Sequence, residues 1–260
     1  MKILISNDDG IHSAGLWTLA NHLNEIGPVT IVAPDREQSA TGTALTLRHP
    51  LRVGKVASHL NGVECWATEG LPGDAVILGL ERVLEKPVGL VVSGINNGPN
   101  VGDDVLISGT VGAALQAYLR NVPAVAVSTF NLESTNHEIP ARLCALIARD
   151  IAEGKLSGDI FLNVNTPDIP LEQIKGIRLC NLAHKTHIDT VKEGHDGRRE
   201  FFWLVRRKLD FEAAPDTDIK AIEQDFISVT ELHVNLFRGA PLPGLAALCD
   251  EWYQKLKAGT

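Results

Sequence analysis

Apolar residues fall along this chain in two kinds of block. Short unbroken runs, Lys2 to Ser6, Val29 to Ala33, Val88 to Val92, Val122 to Ser128 and Ile160 to Val164, lack the alternation of a half-solvated strand. They read as strands covered on both faces. Between them, apolar residues recur at helical spacing. Leu16, Leu19, Leu23 and Ile26 form one such stripe, and Gly27-Pro28 stops it. Val76, Ile77, Leu80, Val83 and Leu84 predict a helix capped by Asp74 and running to about Glu85. Further helices are expected from Thr110 through GAALQAYL and from Ala141 to Glu153, and shorter strands at Leu51 to Val53 and Glu64 to Ala67. Strand, helix and strand in alternation predict a parallel sheet, since parallel neighbours need a crossover between them.

The pattern changes from about residue 170. Ile177 to Leu182 and Phe201 to Arg207 read as two strands joined by a long polar stretch, HKTHIDTVKEGHDGRRE, which suits a protruding hairpin or arm. Asp225 to Glu231 is a further strand candidate and Leu245 to Lys257 a terminal helix. The expected class is α/β with a parallel sheet.

Charge narrows the function. Lys and Arg number 24 against 32 Asp and Glu, a net charge of −8. That disfavours a nucleic-acid coat or a membrane-surface binder, both of which need a basic face. It leaves room for a small anionic substrate, because a bound cation reverses the local field. Cys65, Cys144, Cys180 and Cys249 are scattered without a CxxC pair, so reduced thiols are expected rather than disulfides or structural zinc. The opening MKILISNDDG turns acidic too early for a signal peptide, and no apolar run reaches membrane length. A cytoplasmic protein is expected.

In an open parallel sheet, ligands sit beyond the carboxyl ends of the strands. Three polar loops follow strands here: Asn7-Asp8-Asp9-Gly10, Gln38 to Gly42 and Ser93 to Asn100. Adjacent carboxylates at a strand end repel each other unless a cation joins them. Mg²⁺ or Mn²⁺ would suit, since both take oxygen ligands and keep waters, and Ser39 and Asn96 offer neutral oxygens. The competing interpretation makes Asp8 an Asx turn and Asp9 a helix cap. Ser108-Gly109-Thr110 opens a helix whose free N–H groups favour an anion, or is simply a capped helix start. His12 either faces the crevice or is a satisfied histidine. His184, His187 and Asp189 offer a remote zinc-type set in the polar arm. GxGxxG after the first strand, GxxxxGK[ST] and GxSxG are all missing, which disfavours dinucleotide, P-loop and hydrolase-elbow chemistries.

Taken together, ILISNDDGIHSAGL, PDREQSATG, VVSGINNGPNVGDDVLISGTVGAAL and LNVNTP resemble the SurE family of survival proteins, which act as 5′-nucleotidases. The four motifs stand in the family's order over most of residues 1–165. The resemblance implies a Rossmann-like three-layer core over residues 1–170 and a C-terminal extension over 171–260 that serves oligomerisation, as a dimer or tetramer. It implies one divalent ion held by Asp8, Asp9, Ser39 and Asn96. It also implies phosphate facing Ser108, Gly109 and Thr110. Departures from the family pattern are Ile107 before SGT, Leu71 and Gly73 in EGLPGDAV, Gln116, and Glu231 after the SVT strand.

The expected reaction is hydrolysis of nucleoside 5′-monophosphates, with 3′-nucleotides and polyphosphate left open. Asp8 and Asp9 hold the cation. Asp9 helps deprotonate the attacking water, and Ser108 to Thr110 with Asn100 stabilise the transferring phosphoryl group. A nucleotide sensor without turnover and a glycosyltransferase-like enzyme are the rival classes. Neither would release phosphate from a monophosphate.

Overall fold

A computed structural model of the chain describes residues 1–85, 87–184, 187–208, 212–235 and 244–258. The chain begins β1 (Ile3–Ser6), α1 (Ala14–Asn24), β2 (Val29–Pro34), β3 (Val53–Lys55), β4 (Glu64–Thr68) and α2 (Pro72–Leu78). It continues through β5 (Leu90–Asn97), α3 (Gly109–Tyr118), β6 (Ala124–Thr129), α4 (Glu138–Ala152), β7 (Phe161–Thr166) and β8 (Ile177–Leu179). It ends with β9 (His187–His195), β10 (Glu200–Lys208), α5 (Asp218–Glu223), β11 (Ile227–Glu231) and α6 (Leu245–Ala258).

Nine strands form one sheet in the order β3-β4-β2-β1-β5-β6-β7-β11-β8. The run from β4 to β7 is parallel throughout, whereas β3 and β11 each join it antiparallel. All four residues of β1 are buried because both faces of the sheet are covered. Ile3 and Ile5 alternate with Leu4 along the strand. The first two join Leu16, Leu19 and Leu23 of α1 and Ala141, Cys144 and Ala148 of α4 in one core. Leu4 joins Ala75 and Val76 of α2 and Val111, Ala113 and Ala114 of α3 in the other. Each fully buried Leu or Ile contributes about 1.5–3 kcal/mol. The result is a three-layer, Rossmann-like α/β fold.

This order places a switch point in the middle of the sheet. From β1 the chain moves outward to β2 and β4 on one side, then returns to build β5, β6 and β7 on the other. Loops leaving β1 and β5 therefore part in opposite directions and open a crevice between them.

Three local expectations are corrected. Val88 to Val92 does not give way to a loop at Ser93: β5 continues to Asn97, paired with β6 across a register shift between Ser93 and Asn96. Small and polar residues stay in the ladder there because neighbouring strands satisfy their backbone. Asp74 is not the cap of α2 but its third residue, and its carboxylate accepts N–H bonds from Leu71 (2.8 Å) and Thr46 (3.0 Å). The strand at Ile177 is no part of the arm. It pairs with β11 and extends the main sheet, while the polar stretch itself forms β9 and pairs with β10 as a two-stranded hairpin. Among the described residues no helix is long and apolar enough to cross a membrane.

Candidate active site

Asp8 and Asp9 leave the end of β1, at the switch point. Asp8 is almost wholly buried, and its Oδ1 accepts a 2.6 Å bond from the hydroxyl of Thr110 at the start of α3. Its backbone carbonyl accepts the N–H of Gln38 at 2.7 Å, which draws in the loop after β2. Gly109 lies against the same carboxylate. A Cβ placed there would stand 2.8 Å from Asp8 Cβ and 2.9 Å from its Oδ2, so only glycine lets the helix start approach this closely. Gly112, one turn on, is similarly tight against the Gly42 carbonyl. Ser108 caps α3 by accepting the Val111 N–H at 3.1 Å. The Thr110 N–H turns to the Asp8 carboxylate and the Ser108 N–H to the Asp104 carbonyl, which leaves the Gly109 N–H of the helix start for an anion.

Asn100 completes this side. Its side-chain amide donates to Ser128 Oγ (2.8 Å) and reaches Thr110 Oγ1 (3.4 Å). Its backbone is clamped: the N–H donates to Asn165 Oδ1 (2.8 Å), and the carbonyl accepts from Asn163 (2.7 Å) and Asn165 (3.1 Å). Sequence reasoning assigned no role to this pair, although the LNVNTP motif that contains it was in view.

Asp9 is half-buried and accepts a bond from the Asn97 N–H. Burial, the neighbouring charge of Asp8 and the charge of Glu37 push its carboxyl up to about 7, against that single opposing bond. Burial likewise raises Asp8, against its bond from Thr110, and Glu37 adds to the rise. Among the described residues no lysine or arginine acts on either carboxylate. Ser39 is exposed on its loop, and its hydroxyl donates to Glu37 Oε1 at 2.8 Å. Glu37 went unnoticed in the sequence because a glutamate in a polar loop carries no signal of its own. Asn96 donates its amide N–H to the Gly98 carbonyl (2.7 Å), which leaves its side-chain oxygen for another partner.

The crevice therefore collects Asp8, Gly109, Thr110 and Asn100 by direct contact. Asp9 follows Asp8 and is tied to β5 through Asn97, while Ser39 approaches through Glu37. Among the described residues no group of three His, Cys, Asp or Glu converges as a metal cluster. The donors present fit a hard cation that keeps several waters: two carboxylates driven toward neutrality without a counter-charge, plus neutral oxygens. His12 is exposed. His184 Nδ1 lies 3.6 Å from Asp103 Oδ1, and the side chains of His187 and Asp189 lie outside the described residues. Of the departures from the family pattern, Gly73 packs beside Gln116, Leu71 precedes α2, Ile107 is partly exposed and Glu231 closes β11.

The model of the family described as survival protein SurE matches residues 3–189. A 5′-nucleotidase SurE of Dehalococcoides mccartyi is 56% identical over 93% of this chain and 92% of its own length. One from Geotalea daltonii is 41% identical over 91% of this chain and 94% of its own. The crystal structure of SurE protein from Aquifex aeolicus superposes with a TM-score of 0.81 at 33% identity, covering 95% of this chain and 99% of that one. The chain belongs to the SurE family of survival proteins.

Proposed function

We propose that this chain is a divalent-cation-dependent phosphatase that hydrolyses nucleoside 5′-monophosphates to nucleoside and phosphate. The 2.6 Å bond between Thr110 and Asp8 carries this reading. It ties a cation-seeking carboxylate pair to an anion-seeking helix start, so one crevice suits both a divalent ion and a phosphate. The names of the curated relatives, 5′-nucleotidase SurE, support the reaction class.

Asp8 and Asp9, with Ser39 and Asn96, are the residues that would hold one Mg²⁺ or Mn²⁺. When bound, such an ion neutralises phosphate charge and acidifies water. The Gly109 N–H would donate to a phosphoryl oxygen, while the N–H groups of Ser108 and Thr110 hold the helix start in place on the Asp104 carbonyl and the Asp8 carboxylate. Asn100, its backbone held by Asn163 and Asn165 and its amide on Ser128 and Thr110, fixes the Thr110 hydroxyl beside Asp8. Asp9, the less buried carboxylate, would take a proton from the attacking water.

The same reading makes the protein cytoplasmic, in line with its four unpaired cysteines and net charge of −8. It also makes it a homo-oligomer: Phe202, Trp203 and Leu204 on the arm and Trp252 and Tyr253 on α6 are exposed apolar surface that a second copy would cover.

The test is phosphate release from a panel of 5′- and 3′-nucleoside monophosphates and polyphosphate, with Mn²⁺, Mg²⁺ or EDTA. Wild type is expected to release phosphate from 5′-monophosphates only with the cation, and Asp9→Asn to lose at least 10²-fold of the rate (about 2.7 kcal/mol of barrier). Folded wild type with cation that releases none from any monophosphate would sink the proposal.

A further inference from the structure

Asp9 has a second neighbourhood. Besides the crevice, it borders a cavity of about 280 Å³ that reaches the start of α1 and the segment leading into α4. None of the other residues proposed for the cation or the phosphate lines this cavity. α1 and α4 pack on one face of the sheet and α3 on the other. A ligand with its phosphate at α3 would therefore cross the carboxyl edge of the sheet at Asp9 and place the rest of its body here.

The lining is specific in its chemistry. Among the described residues Asp9 is the only carboxyl group that lines it, and no lysine or arginine does. Ile95, Ala14 and Gly15 give an apolar wall, while Asn97, Thr135 and His137 give polar edges. Asn97 donates its amide to the Ser134 carbonyl (3.3 Å), so its Oδ1 accepts from His137 Nε2 (2.8 Å), and the wall is internally braced. Burial holds the His137 ring below its ordinary pKa, hence neutral. Such a cavity has no means of neutralising a second anion. It fits an uncharged, hydroxyl-bearing group with a flat apolar side, near the small end of ligand pockets (roughly 300–1,000 Å³).

We propose that this cavity receives the nucleoside of the substrate, with ribose hydroxyls toward Asn97 and Thr135 and the base against Ile95 and Ala14. The inference rests on the nucleotidase reading above and adds where the leaving group sits. It makes the enzyme select substrates by an uncharged body rather than by a second phosphate.

The experiment measures binding of adenosine and, separately, of inorganic phosphate to the Mn²⁺-loaded protein by calorimetry. It compares wild type with Ala14→Phe and Thr135→Trp, which add bulk to the cavity from the start of α1 and from the segment leading into α4. Both positions are exposed, and none of the side-chain hydrogen bonds to Asp8 or Asp9 comes from them. Adenosine affinity is expected to fall at least tenfold in each variant that folds, with phosphate affinity within twofold of wild type. Adenosine that fails to bind wild type, or binds the variants equally well, overturns the subsite, as does an equal loss for both ligands. If wild type releases phosphate from nucleotides while adenosine behaves in any of those ways, the subsite alone fails. Absent phosphate release removes the nucleotidase reading with it.

Discussion

Gly109 shows how much a single residue decides. It opens α3, faces Asp8 and has room for no Cβ: added carbon would meet Asp8 Oδ2 at 2.9 Å and the Gln38 carbonyl at 3.2 Å. Alanine favours helix by up to about 1 kcal/mol over glycine, so Gly109→Ala should fold. Its methyl must displace the carboxylate by a few tenths of an ångström or more, and misplacement on that scale costs up to about 10²-fold in rate. The expected outcome is a melting temperature within a few degrees of wild type and phosphate release lowered by one to two orders of magnitude. Activity equal to wild type would show that Asp8 need not stay where it is. A helix start rich in small residues was legible in the sequence as a place for an anion. Its contact with a carboxylate 102 residues earlier was not, because nothing local to either residue encodes it.

At the level of elements, the periodicity located most helices and strands and missed where a local motif had two meanings. Ser-Gly-Ile-Asn-Asn has the composition of a loop, yet it runs as strand because β6 supplies partners on one side. Asp74 resembles a cap but binds the N–H groups of Leu71 and Thr46 from inside the first turn. The start of α1 lies beyond Asp9, which does not cap it. Ser13 caps it by accepting the Leu16 N–H (3.4 Å) and also accepts from the buried amide of Asn7 (2.7 Å), beside Asp8. Ser13→Ala should therefore cost more than an ordinary cap, about 1–3 kcal/mol, because it leaves one N–H of the buried Asn7 amide unpaired while the other stays on the Gly10 carbonyl (3.0 Å). Urea unfolding would measure this. A loss under about 0.5 kcal/mol would mean that Asn7 finds another acceptor.

The whole molecule adds effects that no element shows alone. Cys65 on β4 and Cys144 on α4 are buried in the same core, and burial pushes their thiols up to about 11 and about 12. In the unfolded chain they ionise near 9.0, so above that pH the folded state holds more protons than the unfolded. Their contribution to stability is complete below pH 9 and declines as pH rises toward the folded values, by up to about 1.4 kcal/mol per pH unit for each thiol. Alanine at both positions should make stability less steep between pH 9 and 11 in denaturant titrations, although it lowers stability at pH 7. A slope unchanged by the double substitution would show that other groups govern the alkaline limb.

By itself the sequence determined what is local and repetitive. Unbroken apolar runs alternating with helical stripes specified a parallel α/β sheet, since period and length are properties of neighbouring residues. Four ordered motifs pointed to the family, and the adjacent aspartates to a cation. Only the tertiary structure decided what depends on distance. The strand order put the loops of β1 and β5 on either side of one crevice and brought Thr110 and Asn100 to Asp8. It recruited Glu37 as a third negative charge, moved β8 from the arm into the sheet, and left a cavity beside Asp9. These outcomes follow from strand pairing and burial, whose energies are summed over residues far apart in the chain and so cannot be read from any one segment of it.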